Sequence, residues 1–158
     1  MKEHLDNLLN PEGAVGQPSD AHADFAIRHF SSLKKIDKPW GYELWLSDGT
    51  ETPYAMKILY LKKGMKTSLH FHKQKSEHNC IFSGTARMSY EAKDGSIQSV
   101  VLTAGNLARV MPRALHRVEA LTDVVLFEAS SPQLDDVIRV ADDTARGDGK
   151  IVSEHREA

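Results

Sequence analysis

Short apolar runs alternate with polar turn residues along most of this chain, from residue 36 to residue 129. Alternation with a period of two residues, punctuated by Gly, Asp and Ser, is typical of short antiparallel strands. Clear turn signals are Ser47-Asp48-Gly49, Ser83-Gly84 and Asp94-Gly95. The predicted strands are residues 42–46, 54–62, 67–72, 77–82, 85–91, 97–102, 107–111, 116–120 and 124–129. The pattern predicts an all-β sandwich or barrel.

The two ends of the chain have a different pattern. A short N-terminal helix is predicted because Leu5, Leu8 and Leu9 share one helical face. An extended segment over residues 11–24 follows it. Residues 137–140 predict a last strand or helical turn. We therefore predict an N-terminal helix and linker arm over residues 1–35, a β domain over residues 36–140 and a C-terminal tail over residues 141–158.

Composition narrows the classes of partner. The 158 residues suit one domain, and 20 Lys and Arg against 22 Asp and Glu give a net charge of -2. Without a basic excess, we expect no nucleic acid partner. Apolar runs are far shorter than the roughly 18 residues of a membrane helix, so we expect no membrane partner and a cytoplasmic location. The single cysteine, Cys80, agrees with a reducing compartment.

One cluster of residue types indicates metal chemistry. His70 and His72 are two positions apart, so in a strand both imidazoles face the same side. Glu77 follows after a short turn and begins the next antiparallel strand. Its carboxylate can therefore lie on the same side as the two imidazoles. His116 begins a later predicted strand and is the fourth candidate. Imidazole and carboxylate ligands suit one divalent metal, and by donor type alone Zn, Fe, Mn, Ni and Co all fit.

The spacing of these residues resembles the cupin superfamily. The run from Gly64 to Gly84 has the form G-x5-H-x-H-x4-E-x6-G, and Gly105, Pro112 and His116 resemble the second cupin motif. This resemblance implies a cupin double-stranded β-helix, a jelly-roll barrel. It also implies that His70, His72, Glu77 and His116 are the metal ligands.

A narrower resemblance extends over about residues 37–146, to the C-terminal cupin domain of type II phosphomannose isomerases. It is carried by Lys38-Pro39-Trp40-Gly41, Glu77-His78 and Pro112-Arg113, and by the Asp-rich segment from Asp135 to Arg146. The resemblance implies an isomerase or epimerase that acts on a sugar phosphate or nucleotide-linked sugar in surface-glycan synthesis. His70 stands where that family usually has Gln, so the substrate is expected to differ. The guanylyltransferase part often fused to this domain is not in the sequence, so we expect action alone or on another enzyme's product.

Roles in such a reaction can be assigned as expectations. Glu77 is the candidate general base, and His78 on the same strand should face away from the site. A substrate phosphate needs cationic donors, for which Arg113 is the first candidate because its loop leads to His116. The other predicted substrate-binding residues are Lys75, Arg87 and Arg109 as further cations, Asn79 on the face of Glu77, and Trp40, which either stacks on a sugar or packs in the core.

Two other functions remain open at this point. Three histidines and one glutamate also suit a nonhaem Fe(II) oxygenase, and a non-catalytic cupin could bind a sugar without turnover. In all three cases the expected partner is a small molecule, and for the leading hypothesis it is a sugar. Exposed edge strands are also expected to pair two copies into a homodimer.

Overall fold

The computed structural model describes residues 26–155 and, before them, residues 3, 6, 7, 9, 10, 12, 14–16, 18 and 19. The predicted N-terminal helix rests on Leu5 and Leu8, which lie outside these residues. Within residues 26–155 the helical elements are two 3-10 turns, Phe30–Ser32 and Val152–His155. Eleven strands make up the rest: β1 Lys34–Lys38, β2 Gly41–Asp48, β3 Ala55–Leu61, β4 Leu69–Phe71, β5 Glu77–Ser83, β6 Thr85–Glu91, β7 Ile97–Thr103, β8 Leu107–Val110, β9 His116–Ala120, β10 Val124–Ser130 and β11 Ile138–Ala141.

All nine strands predicted from the alternation are present, as β2 to β10. β4 is shorter than predicted, since it runs over Leu69–Phe71 where the pattern predicted a strand over residues 67–72. Strand pairing stops there because the backbone amides of Lys73, Gln74 and Lys75 turn to the carboxylate of Asp136. Two strands are additional: β1, and β11 in the segment where a strand or a helical turn was predicted.

The strands form two antiparallel sheets. Sheet A has six strands in the order β1-β2-β3-β10-β5-β8, and sheet B has five in the order β11-β4-β9-β6-β7. Edge strands such as β7 and β8 pair on one side only, and pairing of a second copy there stays a prediction. No helix in the described part of the chain combines the length and the apolar character needed to cross a bilayer.

The main core lies between the sheets. Leu61, Ile81 and Leu126 of sheet A pack with Val118 and Ala120 of sheet B, and all five side chains are buried. Burial of such apolar side chains contributes roughly 25 cal/mol for each Å² removed from water. This shared core fixes the distance between the inner faces of the two sheets. A smaller cluster, formed by Tyr42, Leu44, Tyr60 and Val125, packs separately.

Polar rows replace the apolar core at one end of the two inner faces. On sheet A, Lys57 is opposite Glu128, and Glu128 is opposite Asn79. On sheet B, His70 is opposite both His116 and Arg139. Residues directly opposite each other on neighbouring strands present their side chains on the same face of the sheet. The register therefore directs two rows of polar side chains into one cavity, whose lining includes all six residues.

The last described residues pack against this end of the sheets. Glu154 of the second 3-10 turn accepts a 2.8 Å hydrogen bond from Lys38 and lies 3.4 Å from Arg146. Arg146 also binds Asp142 at 2.7 Å, and the ring of His155 meets that of Trp45 edge-on at 5.5 Å. These contacts hold residues 142–155, predicted as a tail, over one side of the cavity.

Candidate metal centre and its cavity

Three histidines form the base of the cavity. One nitrogen from each of His70, His72 and His116 can be chosen so that all three atoms lie within 4.8 Å of one another. His70 and His116 are brought together because β4 and β9 pair at this register, and His72 follows His70 by two residues. The imidazole pair expected from the spacing therefore faces one point, and these three side chains could hold a metal ion.

Backbone hydrogen bonds orient each of these rings. The Nδ1 atom of His70 lies 2.9 Å from the carbonyl oxygen of Ser68, and that of His116 lies 3.0 Å from the carbonyl oxygen of Ala114. Nδ1 of His72 donates to the carbonyl oxygen of Asp136. A carbonyl only accepts, so each Nδ1 carries the proton and each neutral ring has its lone pair on Nε2. Metal-binding histidines are held in this way in many proteins.

Glu77 lies between two of the three imidazoles. Its Oε1 atom is 2.9 Å from Nε2 of His116, and its Oε2 atom is 3.3 Å from Nε2 of His72. The Nε2 atom of buried His72 is close to Glu77, but it has no hydrogen-bond partner of acceptable geometry among the described residues. An unpartnered buried nitrogen is costly unless it binds something else. The donor set of three Nε2 atoms beside one carboxylate fits a divalent transition metal.

Charges around the histidines set their protonation. Burial opposes ionisation of Glu77, but the charge of Lys75, the hydrogen bond from His116 and the nearby ring of His72 hold its pKa well below its usual range. Burial and the neighbouring His116 lower the pKa of His70 well below its usual value. Burial also disfavours charge on His116, but its hydrogen bond to Glu77 outweighs this and raises its pKa. The site thus combines an ionised carboxylate with at least one imidazole that stays neutral, which are the forms that bind metal.

Lys75 compensates two buried carboxylates at once. Its Nζ atom donates to Glu77 at 2.6 Å and to Glu128 at 2.7 Å, and all three residues are buried. Burial alone would lower the pKa of Lys75. The charges of Glu128 and Glu77 outweigh burial and raise this pKa above its usual value. Lys75 is therefore a fixed cation rather than a proton acceptor. Asn79 completes the arrangement by donating to Oε1 of Glu77 at 2.9 Å.

Asp136 fixes the turn that separates His72 from Glu77. Its carboxylate accepts hydrogen bonds from the backbone amides of Lys73, Gln74 and Lys75 at 2.6–3.0 Å. Burial works against ionisation of Asp136, but these amides outweigh it and lower the pKa of the carboxyl group. Because the backbone carbonyl of the same residue orients His72, Asp136 positions both His72 and the turn that leads to Glu77.

The structure divides the predicted substrate-binding residues into two groups. Lys75, Asn79 and Trp40 all line the cavity, and Trp40 also packs in the main core, so both of its predicted roles agree with its position. The three arginines are not among the residues that line the cavity. Arg87 on β6 pairs with Glu119 at 2.9 Å, Arg109 is exposed on β8, and Arg113 lines a separate surface depression beside Phe71 and Lys73. Their contact with a substrate stays a prediction.

A second charged group lines the far wall of the cavity. Glu43 is buried, accepts a 2.7 Å hydrogen bond from the indole nitrogen of Trp45, and lies 3.5 Å from Lys57 and 3.9 Å from Lys38. Burial opposes its charge, but the two lysines and the indole overcome this and lower the pKa of Glu43 to about 2. Glu43 is thus a permanent anion between two cations at neutral pH.

Glu43→Gln is expected to remove a pH-dependent part of the free energy of unfolding. Because the folded pKa is below the usual 4.5, ionised Glu43 stabilises the protein above pH 4.5, and this contribution disappears as the pH falls to about 2. A shift of this size corresponds to about 3 kcal/mol. Urea unfolding at pH 3 and pH 7 should therefore show a smaller difference in the variant. An unchanged difference would contradict the prediction, and Glu51→Gln, at an exposed residue, is the control.

Four residues of the cavity and its supporting turn were not predicted from the sequence: Lys57, Glu128, Asp136 and Arg139. A signal was available for Lys57 and Glu128, since each is a charged residue next to apolar residues on the same face of its strand. Lys57 precedes Leu59 and Leu61, and Glu128 follows Leu126. A lone charge on the buried face of a strand indicates a polar partner inside the protein. Asp136 and Arg139 had no such signal, because their roles depend on contacts with distant segments.

Comparison with known proteins agrees with this geometry. The family model described as Mannose-6-phosphate isomerase C-terminal matches residues 27–142. No curated protein matches the chain by sequence. Among solved structures, oxalate decarboxylase of Bacillus subtilis, studied for its Mn(II) centres, has a TM-score of 0.64 at 20% identity and covers 80% of this chain and 35% of its own. The capsular polysaccharide assembling protein CapF of Staphylococcus aureus has a TM-score of 0.62 at 17% identity, with 75% and 33% covered.

A third structure, oxalate decarboxylase of Lactobacillus farciminis in a formate complex, has a TM-score of 0.60 at 17% identity and covers 71% of this chain and 35% of its own. The chain thus spans about a third of the length of these structures. At such identities the similarity concerns the fold, and it confirms the predicted cupin fold.

Proposed function

This chain belongs to the mannose-6-phosphate isomerase C-terminal family, and we propose that it is a metal-dependent isomerase or epimerase of a sugar phosphate or nucleotide-linked sugar in surface-glycan synthesis. The observation that carries the proposal is the convergence of three Nε2 lone pairs beside an ionised carboxylate in a polar cavity. The fold shared with a capsular polysaccharide assembling protein supports the glycan setting.

Isomerisation of a sugar moves a proton between neighbouring carbons, and negative charge develops on oxygen as it moves. We assign the Nε2 atoms of His70, His72 and His116, with Glu77, to hold a divalent metal. When bound, such a metal acts as a Lewis acid toward the sugar oxygens. Lys75 and Asn79 keep the Glu77 carboxylate ionised and oriented.

Glu77 was predicted to serve as both ligand and base. Its lowered pKa favours the ligand role, because an efficient general base has a pKa near the working pH. Glu128 is the second carboxylate that lines the cavity next to Lys75. We therefore propose Glu77 as the fourth ligand and retain Glu77 and Glu128 as the carboxylates to test for proton transfer.

The experiment begins with protein stripped by chelator and reloaded separately with Zn, Mn, Co, Ni or Fe. Interconversion of mannose 6-phosphate and fructose 6-phosphate, and epimerisation of GDP-mannose, are followed by NMR. At least one metal form should turn over one of these substrates, and His116→Ala should remove the turnover. His78→Ala is the matched control, since His78 is exposed on the same strand as Glu77.

Other outcomes separate the remaining functions. Oxygen uptake by the iron form, with no turnover of sugars, would replace the proposal with an oxygenase, which three histidines and a glutamate also suit. Tight sugar binding without turnover in every metal form would favour a binding module.

A further inference from the structure

The two sheets leave four free edges among the described residues, and β7 is the least protected of them. β1 carries three lysines, β8 has four residues with Arg109 among them, and the pairing of β11 is irregular between Arg139 and Ala141. Charges, irregular pairing and short length keep edge strands from pairing with other chains. β7, Ile97–Thr103, is seven residues long, contains no charge and no proline, and pairs regularly with β6. Its free edge is therefore open to another strand.

Apolar side chains are exposed on both faces of β7. Ile97 and Val101 are four positions apart and share one face, and Val100 lies on the other. These three residues expose 50%, 52% and 45% of their surfaces. Covering apolar surface of this kind is favourable in water. A strand that pairs with β7 would cover it on both faces at once.

The backbone groups of β7 that point to the free edge follow from its pairing with β6. Just before the strand, the amide of Ala92 donates to the carbonyl oxygen of Ser96 at 2.8 Å, so the ladder to β6 uses the even-numbered residues of β7. In an antiparallel pair, hydrogen-bonded residues alternate with residues whose backbone groups point away. The odd-numbered residues therefore face the free edge. At Thr103 both groups are already bonded to Asn106. The positions left open are Ile97, Ser99 and Val101.

A second copy of β7 fits these open positions. If two copies run antiparallel about a two-fold axis at Ser99, Ile97 is opposite the partner's Val101 at both ends of the pair, and each apolar residue meets an apolar residue. All three positions then form hydrogen-bonded pairs. An axis at Val100 would instead need the backbone groups of Thr103, which Asn106 already holds. Because β7 has no charged residue, the pairing brings no like charges together.

We propose that two copies of this chain associate through β7, centred on Ser99, and so join two copies of the five-stranded sheet B into one continuous sheet. Such a contact buries the same surface on both copies and closes after two. A single strand pair supplies less than the roughly 1,000 Å² of a lasting interface, so the dimer should be reversible, with a dissociation constant of about 1–100 μM. The inference is independent of the proposed function, because no residue of β7 lines the cavity.

Sedimentation equilibrium of the full chain from about 1 to 500 μM tests the association. The unchanged protein should pass from monomer to dimer over this range. Ser99→Pro should weaken the dimer at least about tenfold, because it removes an outward N–H from each copy and spares the ladder to β6. Leu107→Lys is the matched control, since Leu107 is 61% exposed on the free edge of sheet A, and it should associate as the unchanged protein does.

Two charged variants test the register and replace Ser99→Pro if it folds poorly. Ile97→Lys and Val101→Glu should each weaken the dimer about tenfold, because each sets a lone charge against an apolar residue. The double variant should recover most of the affinity, since this register places the two opposite charges across the axis from each other. A protein that stays monomeric throughout, a dimer lost in Leu107→Lys but kept in Ser99→Pro, or a double variant weaker than both single ones would overturn the proposal.

Discussion

His72→Ala is expected to lower metal affinity by at least about 100-fold, and Glu77→Gln by a similar factor, since even changes to the neighbours of metal ligands cost 10- to 100-fold. His72 is chosen among the histidines because its buried Nε2 atom has no hydrogen-bond partner among the described residues. Competition titrations with a coloured chelator give the affinities, and elemental analysis of the purified proteins gives the metal content.

His78→Ala provides the matched control. His78 neighbours Glu77 on β5 but is exposed, whereas Glu77 is buried among the imidazoles. The change therefore removes an imidazole from the same strand without touching the cavity. Metal binding by the unchanged protein at about one equivalent, retained in His78→Ala and lost in His72→Ala, is the expected pattern. Equal retention in all three variants would show that the metal binds elsewhere.

The fold and the convergence of the three histidines could be predicted from the sequence because their signals are local. Each strand from β2 to β10 shows a short run of apolar, aromatic or β-branched residues beside turn signals, and the signal for His70 and His72 is their spacing of two. His116 was found because it starts another strand after a turn. The residues that hold these side chains in place, such as Asp136, depend on the packing of segments about 60 positions apart, for which spacing carries no information.

Sequence position predicted which histidines line the cavity better than it predicted which arginines do. Arg87, Arg109 and Arg113 were chosen for charge and nearness to the motifs, yet none of them lines the cavity. Strand alternation explains why Arg87 does not line the cavity. Its neighbours Ala86 and Met88 face the core, so Arg87 faces the opposite side of β6. Arg139 lines the cavity because β11 adds to the edge of sheet B beside β4, a pairing that the sequence pattern did not reveal.

Lys75→Met is expected to lower the free energy of unfolding of the metal-free protein by about 3–5 kcal/mol, the usual cost of leaving buried charges without a partner. Lys75 is the cation in direct contact with both Glu77 and Glu128, at 2.6 and 2.7 Å. In metal-loaded protein the loss should be smaller, because the metal then compensates the charge of Glu77. Urea unfolding with chelator and with saturating metal measures both values.

Two further variants show whether charge compensation is the cause. Lys75→Met combined with Glu128→Gln removes one of the unpaired carboxylates and should recover part of the lost stability in the metal-free state. Lys66→Met is the control, since Lys66 pairs with Asp143 at 2.7 Å in a half-exposed position, where an ion pair contributes less than about 1 kcal/mol. A loss for Lys75→Met that is the same with and without metal would mean that Lys75 acts through packing, and that Glu77 does not bind the metal.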